Sequence, residues 1–333
     1  MKIQPIAIIA IHKKMIQISN NILKAKELLV NDDLVAIPTE TVYGLAGNIY
    51  SEKAINLIFK TKNRPFNNPL IVHIHSKELL ENIAADVPKK AKKLAEAFWP
   101  GALTLVLKKK NDIPYSITAG KDTVAVRVPN HPVTLELLRA IDFPLAAPSA
   151  NPFGSISPTS SQHVADYFEN SLKMVLEGGI CAKGIESTII GFDNENAILY
   201  RLGSIAVEDI ESVIGPIFIA NKNDDAPEAP GMLSRHYAPK TRTILSYDIE
   251  NEIKKYPNYK IGVLLFQNSI KDNSNIAIEV LSYLGDLNEA ATNLYAAMHR
   301  LDKKELDLII AQKFPDNDLG KSINDRLERA TKK

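Results

Sequence analysis

Three loop segments of this 333-residue chain gather hydroxyls, amides and fixed cations of the kind that hold small polar or phosphorylated ligands. In Pro38-Thr39-Glu40-Thr41-Val42-Tyr43-Gly44-Leu45, two threonines and a tyrosine follow the apolar run Leu34 to Ile37. Ligand-binding loops sit at the carboxyl ends of strands, though a Thr-rich turn explains the same residues. Lys62-Asn63-Arg64-Pro65, followed by Asn67, Asn68 and Pro69, offers phosphate oxygens a point charge and a planar fork. It equally suits a cationic helix C-terminus complementing the macrodipole. Pro148-Ser149-Ala150-Asn151-Pro152 runs on into Ser155, Ser157, Thr159, Ser160 and Ser161. Its donors could orient an α-phosphate, and Ser and Asn before Pro are also ordinary turn formers.

Beside these lie Arg127 in Ala125-Val126-Arg127-Val128-Pro129, Glu186-Ser187-Thr188 opening a strand, and Arg201 closing another. An arginine in an apolar strand needs an anion when buried, either a carboxylate ligand or a structural Asp or Glu. His73 and His75 share one strand face and could bind a ligand or metal, or be satisfied polar groups. Lys89, Lys90, Lys92, Lys93 and Lys108 to Lys110 read as solvated faces, with RNA contact as the alternative.

The absences narrow the chemistry. No Gly-x-x-x-x-Gly-Lys-Ser/Thr, Gly-x-Gly-x-x-Gly, His-Glu-x-x-His or Gly-x-Ser-x-Gly occurs; Ile185 and Glu186 stand where a P-loop following Gly179 and Gly184 would need Lys and a hydroxyl. Cys181 is the single cysteine, so an internal disulfide framework and a multi-cysteine zinc site are excluded. Forty Lys plus Arg against 39 Asp plus Glu leave a net charge of +1, too little for global attraction to nucleic acid. At 45% hydrophobic and 24% charged the chain has globular composition, and its length suggests two domains. Ile6 to Ile11, preceded by Pro5 and followed by Lys13 and Lys14 with no small-residue cleavage site, reads as a first strand or its lead-in rather than a signal peptide. No run approaches the roughly 18 apolar residues of a spanning helix, which leads us to expect a cytoplasmic protein.

Positioning these loops falls to an α/β pattern running to about Gly215. Strands are expected at Leu34 to Ile37, Leu70 to His75, Leu103 to Leu107, Thr123 to Val128, Leu145 to Ala147, Lys173 to Leu176, Thr188 to Phe192 and Ala197 to Tyr200. Helices are expected at Ser51 to Thr61, Lys89 to Phe98, Pro132 to Ile141 and Ser161 to Phe168, with Ser19 capping an earlier one that buries Ile22, Leu23, Leu28 and Leu29. Direct strand-to-strand connections predict a mixed sheet. Residues 216–240 form a polar linker whose segment Ala229 to Pro239 carries Met, Arg, His and Tyr, suggesting a lid. Beyond it, 241–333 alternates strands at Thr243 to Ser246, Ile261 to Phe266, Ile276 to Leu281 and Leu306 to Ile310 with helices, one opened by an Asp286/Glu289 capping box.

In this order the segments resemble the YrdC family in its long form, with a linker and a C-terminal domain. The family's Lys-x-Arg and Ser-x-Asn pattern is matched by Lys62, Arg64, Ser149 and Asn151, its threonine-rich opening by Thr39 to Leu45, its Ser-Thr-Ile segment by Ser187 to Ile189, and its linker signature by Arg235 to Pro239. Ala46 and Leu202 depart from an expected glycine and proline, which touches loop detail rather than chemistry. The resemblance implies a YrdC-like twisted mixed sheet with flanking helices over residues 1–215, plus a smaller Rossmann-like α/β domain. It implies synthesis of threonylcarbamoyl-AMP and pyrophosphate from L-threonine, bicarbonate and ATP with Mg2+, for N6-threonylcarbamoyladenosine in tRNA. Partner transferases would act on the tRNA, so stable direct tRNA binding is not required, and no membrane is involved. By the same resemblance Lys62, Arg64, Ser149 and Asn151 are catalytic. Arg64, Asn68, Thr123, Ser149, Ser157, Arg201 and Tyr237 hold ATP; Thr39, Thr41, His73, Arg127, Ala147 through its backbone, and Ser187 hold threonine. No protein side chain is expected to ligate the metal.

Two rival readings stand beside this one. A double-stranded RNA-binding protein without catalysis would use the same concave cationic surface, although the near-neutral charge opposes it. A carbamoyltransferase accessory domain would be expected to carry cysteine-rich zinc modules, which a chain with one cysteine lacks.

Overall fold

The computed structural model of the chain describes residues 16–169, 171–220, 228–232, 236–267 and 276–332. The strand expected at Ile6 to Ile11, much of the linker and Arg235 of its signature lie outside them. The larger sheet begins with β1 (Gln17–Ser19), β2 (Val35–Ile37), β3 (Gly44–Asn48), β4 (Ile71–His73), β5 (Leu103–Lys108) and β6 (Thr123–Arg127). It continues with β7 (Leu145–Ala146), β8 (Met174–Leu176), β9 (Thr188–Asp193), β10 (Asn196–Arg201) and β11 (Phe218–Ile219). Their spatial order is β1-β8-β2-β3-β7-β4-β6-β5-β9-β10-β11. β2 with β3, β3 and β4 with β7, β5 with β6, and β9 with β10 pair antiparallel, while the remaining neighbours are parallel, so the sheet is mixed.

Ladder partners share a face, so register decides which side each residue serves. On one face Val72, Val126, Ala146, Leu105, Ile190 and Leu199 pack with Ile55, Ile58 and Phe59 of the helix Glu52–Lys62 and Leu94 of Lys89–Phe98. Each such large apolar side chain contributes about 1.5–3 kcal/mol on burial. The other face carries two separate apolar patches. One, around Val35, Ile37, Leu145 and Met174, lies under the helices Ile22–Val30 and Pro132–Ala140. The second, around Ile71, Val106, Ala125 and Ile189, lies under linker residues Ala229 and Met232. Between the patches sit the ladder partners His73 and Arg127.

Two local expectations need correction. Asn21, not Ser19, caps the helix Ile22–Val30, accepting from the Lys24 amide at 2.9 Å; Ser19 ends β1, and its hydroxyl accepts from the Asn21 amide instead. Leu23 is 77% exposed, because it lies five residues before Leu28, about 140° around the helix from the buried stripe Ala25, Leu28 and Leu29.

The second sheet comprises β12 (Thr243–Ser246), β13 (Ile261–Leu265), β14 (Ile276–Val280) and β15 (Leu308–Gln312), ordered β12-β15-β13-β14 and parallel throughout. Asp286 caps the helix Leu287–Asp302 as expected, accepting from Asn288 and Glu289 amides. The return limb of the capping box is relayed: Glu289 accepts from the Ser282 hydroxyl, which in turn accepts from the Asp286 amide.

The helices of this second unit dock directly on the first. Thr292 donates to Ala182 O at 3.0 Å and Ser322 to Gly203 O at 2.7 Å, and His299 Nε2 lies 3.2 Å from Ser157 O. Gly184 makes the closest approach: φ is +68°, and a Cβ there would lie 2.3 Å from the Thr292 carbonyl oxygen and 2.4 Å from its Cα. A backbone neighbour has little freedom to move aside, and a non-glycine in this conformation adds roughly 1–3 kcal/mol of strain. Gly184→Ala is therefore expected to lower the thermal unfolding midpoint by roughly 2–12 °C, at about 2–4 °C per kcal/mol for domains of this size. An unchanged midpoint would show that Thr292 does not pack against Gly184.

Candidate active site

The loop after β2 is held by Thr39. Its hydroxyl donates to Val42 O at 2.6 Å and accepts from the amides of Thr41 and Val42, so it is spent on loop geometry as an ST-turn. The hydroxyl of Thr41 is thereby aimed at Arg127, whose Nη1 donates to it at 2.9 Å. Arg127 Nη2 donates to Glu40 at 2.6 Å and its Nε to Gly101 O at 3.1 Å. Glu40 is thus the structural carboxylate that a buried strand arginine requires, and it also accepts from the Asn130 amide. Beside Arg127, His73 Nδ1 sits 3.2 Å from Ile71 O, which assigns the proton to Nδ1 and leaves Nε2 as an acceptor. Burial, and secondarily the charge of Arg127, push this imidazole down to about 3, so it is neutral near pH 7.

Lys62 ends the helix Glu52–Lys62, which is capped by Ser51 and terminated at Asn63 in the left-handed region. Its ammonium is fully buried and donates to the carbonyls of Ser149 and Asn151, tying the Lys-x-Arg segment to the Ser-x-Asn segment. Burial first, and Arg64 second, depress its pKa well below the ordinary lysine value. Arg64 donates to Asn68 O, Asn68 Oδ1 and Pro69 O. Burial and the neighbouring Arg201 depress its guanidinium as well, a crowding that an anion would relieve.

Arg201 reaches the site because β10 is bulged. Leu199 pairs with Ile190 and Arg201 with Ile189, so Tyr200 is the extra residue and Arg201 turns from the helix-packed face to the linker-covered one. It donates to Ser187 O and Oγ. Glu186, adjacent to Ser187, accepts from the Ser157 hydroxyl at 2.6 Å. Burial disfavours its ionisation, but Arg326, Arg201 and the Ser157 bond outweigh that and hold it below the usual carboxylate range.

Linker residues roof the site. A Cβ at Gly231 (φ +76°) would lie 2.7 Å from Arg201 Nη1 and would have to displace that guanidinium. Tyr237 takes φ +63° and is 1% exposed, with its ring 4.1 Å from His236 and 5.7 Å from Tyr295. The Tyr237 hydroxyl, His236 Nδ1 and Asn68 Nδ2 are buried without a hydrogen-bond partner among the described residues, and Tyr237 and His236 line the cavity.

Thr39, Thr41, Arg64, His73, Arg127, Ala147, Ser149, Ser187, Arg201 and Tyr237 all line one cavity. Lys62 and Asn151 lie behind its wall, Asn68 stands beside Arg64, and Ser157 is reached through Glu186. Thr123 is apart, at the opposite end of β6 from Arg127 and roughly 13 Å away at the rise of a strand. Sequence reasoning quoted Glu40, Glu186 and His236 within candidate segments without giving them a role, and did not single out Gly231. A carboxylate between Ile185 and an apolar strand was the available signal for Glu186. The cavity measures about 50 Å³, far less than a nucleotide occupies.

The family described as Telomere recombination matches residues 27–203, and that described as Threonylcarbamoyl-AMP synthase, C-terminal domain, matches 205–331. The chain is 43% identical over 313 residues to a threonylcarbamoyl-AMP synthase of Pyrococcus abyssi, with 90% of each covered. It is 39% identical over 319 residues to the one from Bacillus subtilis, covering 93% of this chain and 92% of the relative. The crystal structure of P. abyssi Sua5 complexed with L-threonine superimposes with a TM-score of 0.88 at 38% identity, covering 95% of this chain and 97% of that one. The chain therefore belongs to the threonylcarbamoyl-AMP synthase family in its two-domain form, as an enzyme of the nucleotidyltransferase type rather than an RNA-binding protein without catalysis.

Proposed function

We propose that the cavity binds L-threonine against Arg127, Thr41, His73, Ser187 and the Ala147 backbone, and the nucleotide against Arg64, Asn68, Ser149, Arg201, Ser157 and Tyr237, with Thr123 at the far end. The observation that carries this reading is the enclosure of the buried cations Lys62, Arg64 and Arg201 under a tyrosine whose hydroxyl has no partner among the described residues. The threonine amine combines with bicarbonate, losing water, to give a carbamate. A carbamate oxygen attacks the α-phosphorus of ATP; the bond from that phosphorus to the bridging oxygen breaks, and pyrophosphate leaves with its electron pair. The nucleophile belongs to the substrate, so the site works by positioning and charge stabilisation and needs no Ser-His-Asp triad.

Magnesium is proposed to arrive on the nucleotide. The carboxylate lining the cavity, Glu186, is already engaged by Ser157, Tyr295 and Arg326, so phosphate oxygens and water rather than protein oxygens suit the ion. The roof segment would close over a mixed anhydride that water hydrolyses. The product is proposed to pass in the cytoplasm to transferases that modify tRNA. No helix among the described residues is long and apolar enough to cross a membrane.

Pyrophosphate release is expected to require ATP, threonine and bicarbonate together, and to fall about 100-fold in Arg64→Ala, the loss of one charge-assisted contact worth roughly 1.5–3 kcal/mol. Release indifferent to threonine would overturn the substrate assignment. Tyr237→Phe keeps the ring packed against Tyr295 and removes only the hydroxyl. Its kcat/KM for ATP should drop roughly tenfold at unchanged thermal stability, as for one lost hydrogen bond; wild-type kinetics would remove Tyr237 from the nucleotide site.

A further inference from the structure

The C-terminal unit does more than dock. Two of its side chains, Tyr295 from the helix Leu287–Asp302 and Arg326 from the helix Leu319–Ala330, are both 0% exposed and end on the carboxylate of Glu186. The Tyr295 hydroxyl lies 2.9 and 3.1 Å from the two Glu186 oxygens, and Arg326 donates through Nε and Nη2 at 3.3 Å. Arg326 is itself steadied by Asp325, which accepts from its Nη1 at 3.2 Å. Glu186 receives a further bond from Ser157 at 2.6 Å, and its neighbour Ser187 is held by Thr104 and Arg201. The carboxylate therefore bonds the second unit to Ser157, on the proposed nucleotide side, and the Glu186 backbone runs directly into Ser187, on the proposed threonine side.

Stability alone does not account for this arrangement. A buried ion pair stabilises no better than well-packed apolar residues of the same volume, so its presence at a cavity wall calls for another role. The same two side chains also flank the roof: Tyr295 lies 5.7 Å from the Tyr237 ring, and the Arg326 guanidinium carbon lies 5.4 Å from its centroid.

We propose that Tyr295 and Arg326 are positioning residues for the synthase reaction, acting through Glu186 to orient Ser157 and Ser187, so that the C-terminal unit completes the catalytic site. This inference rests on the function proposed above. Removing either partner would leave a buried carboxylate short of donors, raise its affinity for a proton, and let Ser157 and Ser187 drift.

The test compares wild type, Tyr295→Phe, Glu186→Gln and the double variant in the full-length chain. Three measurements are made: pyrophosphate release against pH, thermal unfolding, and titration of the Glu186 carboxyl carbon by 13C NMR, assigned by its absence in Glu186→Gln. Tyr295→Phe is expected to keep its fold and to lose roughly tenfold in kcat/KM for both ATP and threonine. Its acid limb and the Glu186 midpoint should move together to higher pH, and the double variant should lose no more than Glu186→Gln alone. An unmoved Glu186 midpoint, or losses that simply add in the double variant, would overturn the proposal. A shifted midpoint in a chain whose wild type makes no pyrophosphate would sink the synthase reading while leaving the clamp on Glu186 in place.

Discussion

Burying a positive charge is costly unless something negative meets it, and this chain buries Lys62, Arg64, Arg127 and Arg201 around one small cavity. Among the described residues, Arg127 is the one of the four that forms an ion pair, with Glu40 at 2.6 Å. Lys62 and Arg64 rest on backbone carbonyls and the Asn68 amide oxygen, and Arg201 on the carbonyl and hydroxyl of Ser187. Carbonyl dipoles hold such cations in place without neutralising them, which is the condition a polyphosphate site needs. The depressed pKa values of Lys62 and Arg64 express the same tension.

The architecture follows from keeping that cluster dry and fixed. A mixed sheet lets loops from both strand directions converge on one face, between two apolar patches sealed by helices on one side and the linker on the other. A single bulge at Tyr200 brings Arg201 to that face. The second unit then supports the wall from behind, through the bonds of Tyr295 and Arg326 to Glu186.

Much of this was legible because local chemistry declares itself locally. The helices Lys89–Phe98 and Ser161–Phe168 appear with the boundaries their apolar spacing predicted, and the loop segments carrying Thr41, Arg64, Ser149 and Ser187 do converge. The Ser19 cap failed because a second competent cap, Asn21, stood two residues on and closer to the first buried turn. What stayed hidden depends on distance in sequence: Glu186 finds Arg326 across 140 positions. A trace was present nonetheless. On the last helix Arg326 falls in the stripe Leu319, Ile323, Leu327 and Ala330, and a charge on an apolar stripe asks for a buried partner. The bulge at Tyr200 had no such trace, since its run reads as an ordinary strand.

The most direct test of a cation cluster that awaits a polyphosphate is the unfolding midpoint of the wild-type chain with MgATP, compared with adenosine at the same concentration. At a hundredfold excess over Kd, linkage gives about 2.7 kcal/mol, a rise of roughly 5–10 °C for a chain of this size, while adenosine should leave the midpoint nearly unchanged. Equal shifts for the two ligands, or none for MgATP, would contradict the account.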